Sequence, residues 1–184
     1  MSLRLFAALD VPDAVAERLI AQMRGVPGAH WRPRENLHIT LRFFDQVAEP
    51  IAADLDSALE EVARDTGAFD ISLRGAGFFG GAEPRAIWAG VAENEALQIL
   101  AHRCERAARQ CGLRPETRKF LPHVTLAYLG ETSLERVIAF EKRLAMFESA
   151  PWRVDVFYLL SSHVRRNAPS QYREEASYAL LGAK

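Results

Sequence analysis

The sequence predicts an α+β protein built from two copies of one β-α-β-α-β unit, related by a pseudo-twofold axis. Mainly antiparallel sheets should line a central cleft, with helices outside. Three observations carry this expectation. Two apolar runs, His38-Ile39-Thr40-Leu41-Arg42-Phe43 and His123-Val124-Thr125-Leu126-Ala127-Tyr128, are spelled nearly alike 85 residues apart. The strand and helix patterns around the first run recur around the second. No low-complexity linker separates the halves, so residues 1–184 read as a single bilobed domain. Its internal repeats cover about 1–80 and 86–162, and a closing strand covers about 172–181.

The elements follow in order. A first strand spans 3–9, and Pro12 with Asp13 opens a helix running to about Met23. Strand 37–44 carries the first His-x-Thr, and a helix near 50–64 places Ile51, Leu55, Leu59 and Val62 at helical spacing. Phe69-Asp-Ile71-Ser-Leu73-Arg74 alternates as a half-buried strand. The series then restarts with strand 86–91 and a helix over 94–111, with Leu97, Leu100, Ala101, Cys104 and Cys111 inward and Gly112 as its stop. Strand 123–129 carries the second His-x-Thr. Thr132-Ser-Leu-Glu135 reads as a capping box opening a helix to about Phe147. Trp152-Arg-Val154-Asp-Val156 alternates like its counterpart at 69–74. Adding 85 to Phe6, Ile51 and Phe69 lands on Val91, Arg136 and Val154, in the matching element each time.

Composition narrows the function classes. With 49% hydrophobic residues, 26% charged residues and a net charge of −1, the chain has no overall electrostatic pull toward nucleic acid or an acidic membrane. Local positive groups must hold any anionic substrate. The 23 basic residues are 20 Arg and 3 Lys, a bias that fits genomic composition better than dedicated phosphate recognition. The N-terminal apolar stretch is too short for a signal peptide, and no run is long enough to span a membrane. Cys104 and Cys111 lie seven residues apart on one helix, about 10 Å from each other, too far for a disulfide. Unpaired thiols without an export signal point to the cytoplasm.

In a strand, residues i and i+2 share a face, roughly 7 Å apart. Each run therefore shows one face bearing an imidazole and a hydroxyl, and another for the core. With the polar faces opposed across a cleft, two imidazoles flank one point in space. That suits in-line displacement at phosphorus, one histidine taking a proton from water while the other gives one to the departing oxygen. An unperturbed pKa near 6.5 makes both forms accessible. Thr40 and Thr125, with backbone amides, can hold the non-bridging oxygens.

The two His-x-Thr-Leu runs resemble the signature of the two-histidine (2H) phosphoesterases. The chain is most similar to the bacterial and archaeal RNA 2′,3′-cyclic phosphodiesterases, also called 2′-5′ RNA ligases. Supporting stretches are Leu5-Phe-Ala-Ala-Leu9, Glu35-Asn-Leu-His38, Pro84-Arg85-Ala-Ile-Trp88-Ala-Gly90 and Arg118-Lys-Phe120-Leu-Pro122-His123, in the family's order. The resemblance implies an enzyme without metal or other cofactor that opens a terminal 2′,3′-cyclic phosphate of RNA to a 2′-phosphomonoester. Reversible 2′-5′ ligation is the sister activity. It implies His38 as general acid for the departing 3′-oxygen and His123 as the base that activates water. The implied partner is RNA ending in a 2′,3′-cyclic phosphate, with tRNA fragments one candidate source, bound by a monomer.

Five residues after each histidine stand Phe43 and Tyr128. In similar proteins the first is an aromatic able to stack on the terminal base. The second is often Arg, so Tyr128 is a departure. Arg42, two beyond Thr40 on the same ideal face, or Arg118 is then the expected substitute cation. An i+5 residue has the wrong parity for a flat strand, so a role for Phe43 requires a bend.

Other features rank lower. Gly75-Ala-Gly77-Phe-Phe-Gly80 matches G-x-G-x-x-G, but no helix opens there, and it reads as a flexible loop between strands. A zinc site is not expected, since each motif supplies one His and no acidic residue on its face. His102 should lie on a solvated helix face, and His30 and His163 in loops. The polar, basic segment from His163 to Gln171 reads as a solvated loop that could touch an RNA backbone. Two further readings stay open: a phosphodiesterase for small cyclic nucleotides or cyclic phosphates, and a non-catalytic RNA-binding module.

Overall fold

The computed structural model describes residues 2–166 and 168–182. Ten strands and four α-helices follow one another along them: β1 (Ser2–Asp10), α1 (Asp13–Ile20), β2 (Ala29–Trp31), β3 (His38–Ala48), α2 (Glu49–Arg64), β4 (Phe69–Ile71), β5 (Leu73–Phe79), β6 (Ala86–Val91), α3 (Glu95–Gln110), β7 (His123–Leu129), α4 (Leu134–Arg143), β8 (Trp152–Val154), β9 (Val156–Arg165) and β10 (Ala168–Ala179). The fold is α+β and its strand pairs are antiparallel, as the sequence predicts.

Eight strands form one open sheet in the order β10-β9-β1-β3-β7-β6-β5, with β2 also on β7. β4 pairs with β8 in a separate small ribbon. One lobe is β10-β9-β1-β3 and the other is β7-β6-β5. They join at a single register pair, Ile39 opposite Val124, the middle residues of the two His-x-Thr runs. The motif strands are thus neighbours across a seam in one sheet, rather than faces opposed across a gap. Both middle residues are fully buried. They drive the apolar side of the sheet onto its helices, where α2 and α3 pack on β3 and α4 on β5.

The lobes are not the sequence repeats. β5, which ends the first half of the chain, pairs with β6 of the second, and β9 of the second half pairs with β1 of the first. The 85-residue offset holds at the motifs but not in the strands before them. Phe6 faces Phe43 as Ala86 faces Tyr128, so β1 and β6 correspond 80 residues apart.

Several expected boundaries shift for local reasons. α1 stops at Ile20 instead of Met23, because Gln22 and Met23 donate to the carbonyls of Leu19 and Ile20, a tighter turn than an α-helix makes. α4 likewise ends at Arg143, with Ala145 and Phe147 bonded three residues back. The capping box does not form: Ser133 holds the cap position without a side-chain bond, and the Thr132 hydroxyl is buried without a partner. At α3 a cap does form, Asn94 Oδ1 accepting from the Leu97 amide at 2.9 Å. The segment from Gly75 to Gly80, expected as a loop, lies mostly in β5. Its glycines serve a bulge, with Gly75 at φ +65°, and a close approach at Gly77. His163 lies in β9 and His30 in β2 rather than in loops, and His102 is exposed on α3. The segment from His163 to Gln171 is a β9–β10 hairpin within which Asn167 lies outside the described residues. Cys104 and Cys111 are free thiols.

Candidate active site

Both histidines stand at the first position of their strands, on the face opposite Ile39 and Val124. Antiparallel pairing at that one point sets His38 on the side of Thr125 and Thr40 on the side of His123, across strands about 4.8 Å apart. Each ring is held the same way. His38 Nδ1 donates to the Asn36 carbonyl at 2.9 Å, and His123 Nδ1 to the Leu121 carbonyl at 2.7 Å. A carbonyl partner fixes the proton on Nδ1 and leaves Nε2 of both rings able to exchange one. The Nε2 environments differ. His38 Nε2 lies 3.1 Å from Thr40 Oγ1 and accepts that hydroxyl's proton, whereas His123 Nε2 meets no hydrogen-bonding partner among the described residues.

The walls differ too. His38 is boxed by Phe6, at 5.1 Å between ring centroids, and by the edge of Tyr172 at 5.2 Å. His123 meets Phe79 edge-on at 5.0 Å and Trp88 at 5.9 Å. Trp88 lies flat over β5, where a Cβ on Gly77 would stand 2.4 Å from its ring. Burial pushes the His38 pKa down to about 4, the Asn36 carbonyl opposing and the charges of Arg32 and His123 adding to the drop. His123 is lowered also, by burial against the support of Leu121.

A bulge decides which side chains enter the cleft. Ala8 pairs with Thr40 but Ala7 with Arg42, so Leu41 is an extra residue and the alternation inverts beyond it. Phe43 thereby turns to the histidine face and packs on Phe6 at 6.1 Å, supplying the bend its role requires. The second motif carries the same device: Trp88 pairs with Thr125 and Ile87 with Ala127, leaving Leu126 extra. Tyr128 follows to the open face, 50% exposed.

Arg42, expected beside Thr40, is turned away by the same bulge. It is 8% exposed, ion-paired with Glu105 on α3, and donates to the carbonyls of Phe43 and Arg114. Arg118 is not brought to the histidines either. Its side chain is 80% exposed and forks onto Glu116, whose amide donates to Glu105 on the helix side. A cation that does reach the His38 side of the site is Arg32, which sequence reasoning missed. Its guanidinium lies 5.1 Å over the Tyr128 ring and donates to the Tyr172 hydroxyl at 3.3 Å. Tyr172 and Phe6 were missed as well, because their position depends on strands distant in sequence. Asn36 was overlooked for another reason: its contribution is a carbonyl, while its buried side chain donates to Ser170 in the hairpin at 2.8 Å. Among the described residues no three His, Cys, Asp or Glu side chains converge as a metal site would require.

This arrangement can accept a proton at one Nε2 and deliver one at the other, on either side of a small anion beside the seam. Residues 11–166 match the model of the 2′-5′ RNA ligase superfamily. The RNA 2′,3′-cyclic phosphodiesterase of Aeropyrum pernix is 34% identical over 138 residues, 73% of this chain and 77% of that protein. The Archaeoglobus fulgidus protein of the same name is 35% identical over 128 residues, 67% of this chain and 71% of its own. Among solved structures, a Thermus thermophilus protein superposes with a TM-score of 0.83 at 24% identity, covering 99% of this chain and 100% of that one. E. coli LigT complexed with 3′-AMP gives a TM-score of 0.80 at 24% identity, covering 98% of this chain and 99% of LigT. These two likenesses show the shared fold.

Proposed function

The chain belongs to the 2′-5′ RNA ligase superfamily, and from that premise we propose that it hydrolyses RNA 2′,3′-cyclic phosphate ends to 2′-phosphomonoesters. The observation that carries the reading is the matched pair of carbonyl-anchored imidazoles on either side of the Ile39–Val124 seam. His123 is the general base. Its Nε2 is unengaged among the described residues, and it takes a proton from water as the water oxygen bonds to phosphorus. His38 is the general acid. The bond from phosphorus to the 3′-oxygen breaks and His38 Nε2–H supplies that oxygen's proton, leaving a 3′-hydroxyl and a 2′-phosphate. Thr40 and Thr125 hold non-bridging oxygens, and Phe43 offers the base a ring to stack on.

Burial makes His38 hold its proton poorly, near pKa 4. An anionic phosphate bound between the rings favours the imidazolium and offsets the nearby cation, so the substrate charges its own acid. The two histidines then titrate as a pair, and the rate follows a bell in pH. With a 5′-hydroxyl in place of water, the same two proton transfers form a 2′-5′ linkage.

On the same reading the chain is a single domain and a monomer, without metal or cofactor, that acts on RNA fragments, those of tRNA included. Its two free thiols support a cytoplasmic setting. No helix among the described residues is long and apolar enough to cross a membrane. The test is product identification. A short RNA ending in a 2′,3′-cyclic phosphate, incubated with the protein in excess EDTA, should yield a 2′-phosphate end. A 3′-phosphate end or no turnover contradicts the chemistry, and loss of turnover on adding EDTA contradicts the metal-free scheme.

A further inference from the structure

We propose that Arg32 binds the non-bridging oxygens of the substrate phosphate, held across the seam by one tyrosine from each lobe, Tyr128 and Tyr172. The inference rests on the cyclic-phosphate reading and assigns the anion-binding group that reading needs.

The backbone aims this side chain. The Arg32 amide donates to the Leu126 carbonyl at 2.8 Å, which ties it beside β7 next to Thr125. Pro33 follows and favours an extended backbone at Arg32. From that anchor the guanidinium reaches over the Tyr128 ring at 5.1 Å and donates one N–H to the Tyr172 hydroxyl at 3.3 Å. Tyr172 itself stands edge-on to His38 at 5.2 Å, so the charge is one aromatic ring removed from an imidazole.

Three arginines close to the two motifs in sequence are committed elsewhere. Arg34 is paired with Asp10 and Asp13, Arg42 with Glu105 and Arg118 with Glu116. Arg4, over the Phe43 ring at 5.0 Å, has Asp45 at 3.9 Å. Arg32 has no carboxylate partner among the described residues. A guanidinium carries five N–H donors in a planar fork. Here a single side-chain hydrogen bond, to the Tyr172 hydroxyl, uses one, and the Tyr128 ring face lies against the guanidinium. A half-buried fork without a carboxylate partner among the described residues, close enough to His38 for its charge to be felt there, is a ready receptor for a tetrahedral oxyanion, which it binds through two parallel bonds. Charge on those oxygens grows as water adds to phosphorus, so the contact strengthens in the transition state.

The test compares wild type with Arg32→Gln and Arg32→Lys, each checked for an unchanged thermal melt. Two quantities are read: turnover of the cyclic-phosphate RNA, and affinity for inorganic phosphate followed by NMR at the ring protons of His38 and His123. Arg32→Gln should lower kcat/KM at least fiftyfold with kcat carrying most of the loss, and weaken phosphate binding at least fivefold. Arg32→Lys, a point charge without the fork, should recover only part of each. A smaller effect of Arg32→Gln on either quantity overturns the assignment, as does wild type failing to bind phosphate. If wild type binds phosphate but does not open the cyclic phosphate, the functional reading falls while the phosphate arm still decides the role of Arg32.

Discussion

Asn36 and Leu121 offer their carbonyls, two residues before each histidine, and so fix which imidazole nitrogen carries the proton of the neutral ring. That contribution comes from the backbone, and side-chain identity does not announce it. Arg42 shows the converse, a side chain well placed on paper and removed by geometry. Once Leu41 is bulged out, Arg42 lies among Glu105 and two carbonyls on the helix side, where its role is structural. Arg42→Met should therefore lower stability by roughly 3 kcal/mol, because Glu105 loses its partner in a part-buried setting. Its kcat/KM, measured well below the melting temperature, should stay within about threefold of wild type. A stable variant with lost turnover would return Arg42 to the phosphate.

At the scale of elements, the paired bulges at Leu41 and Leu126 do most to shape the cleft. Local alternation made His38 with Thr40, and His123 with Thr125, legible from the sequence, since i and i+2 share a face in any strand. Beyond Thr40 the alternation fails, because a bulge exists only relative to a partner strand. The parity problem at Phe43 signalled a bend; the strand that imposes it, β1, was not readable as a neighbour. The glycines of β5 misled for a related reason. Gly77 is there because the Trp88 ring lies on it, 2.4 Å from where a Cβ would sit. Gly77→Ala should displace Trp88 from beside His123, costing about 1–3 kcal/mol of stability and lowering kcat/KM. Thermal melts and steady-state kinetics check both, and an alanine variant as stable and active as wild type would remove Trp88 from the account.

Across the whole molecule, the repeat in sequence and the lobes in space are different partitions of the chain. β5 and β9 each complete the sheet of the opposite half, and β4 pairs with β8. The sequence pattern showed two similar units; which strand pairs with which depends on long-range closure that periodicity does not encode. Exchange of this kind makes each half an incomplete sheet. A fragment of residues 1–81 lacks β6 and β9, the neighbours of β5 and β1, so it should melt without a cooperative transition, and adding residues 82–184 should restore one. A cooperative transition in the fragment alone, read by circular dichroism, would make the halves independent.

β3 and β7 lie side by side at Ile39 and Val124, which brings the two histidines to one seam, and the proposed chemistry needs both. Turnover of a cyclic-phosphate RNA by His38→Ala and by His123→Ala, each shown to keep the wild-type melt, measures that dependence directly. Each single variant should lose at least about a hundredfold in kcat. A folded variant of either histidine that keeps close to the wild-type rate would contradict proton transfer by the pair.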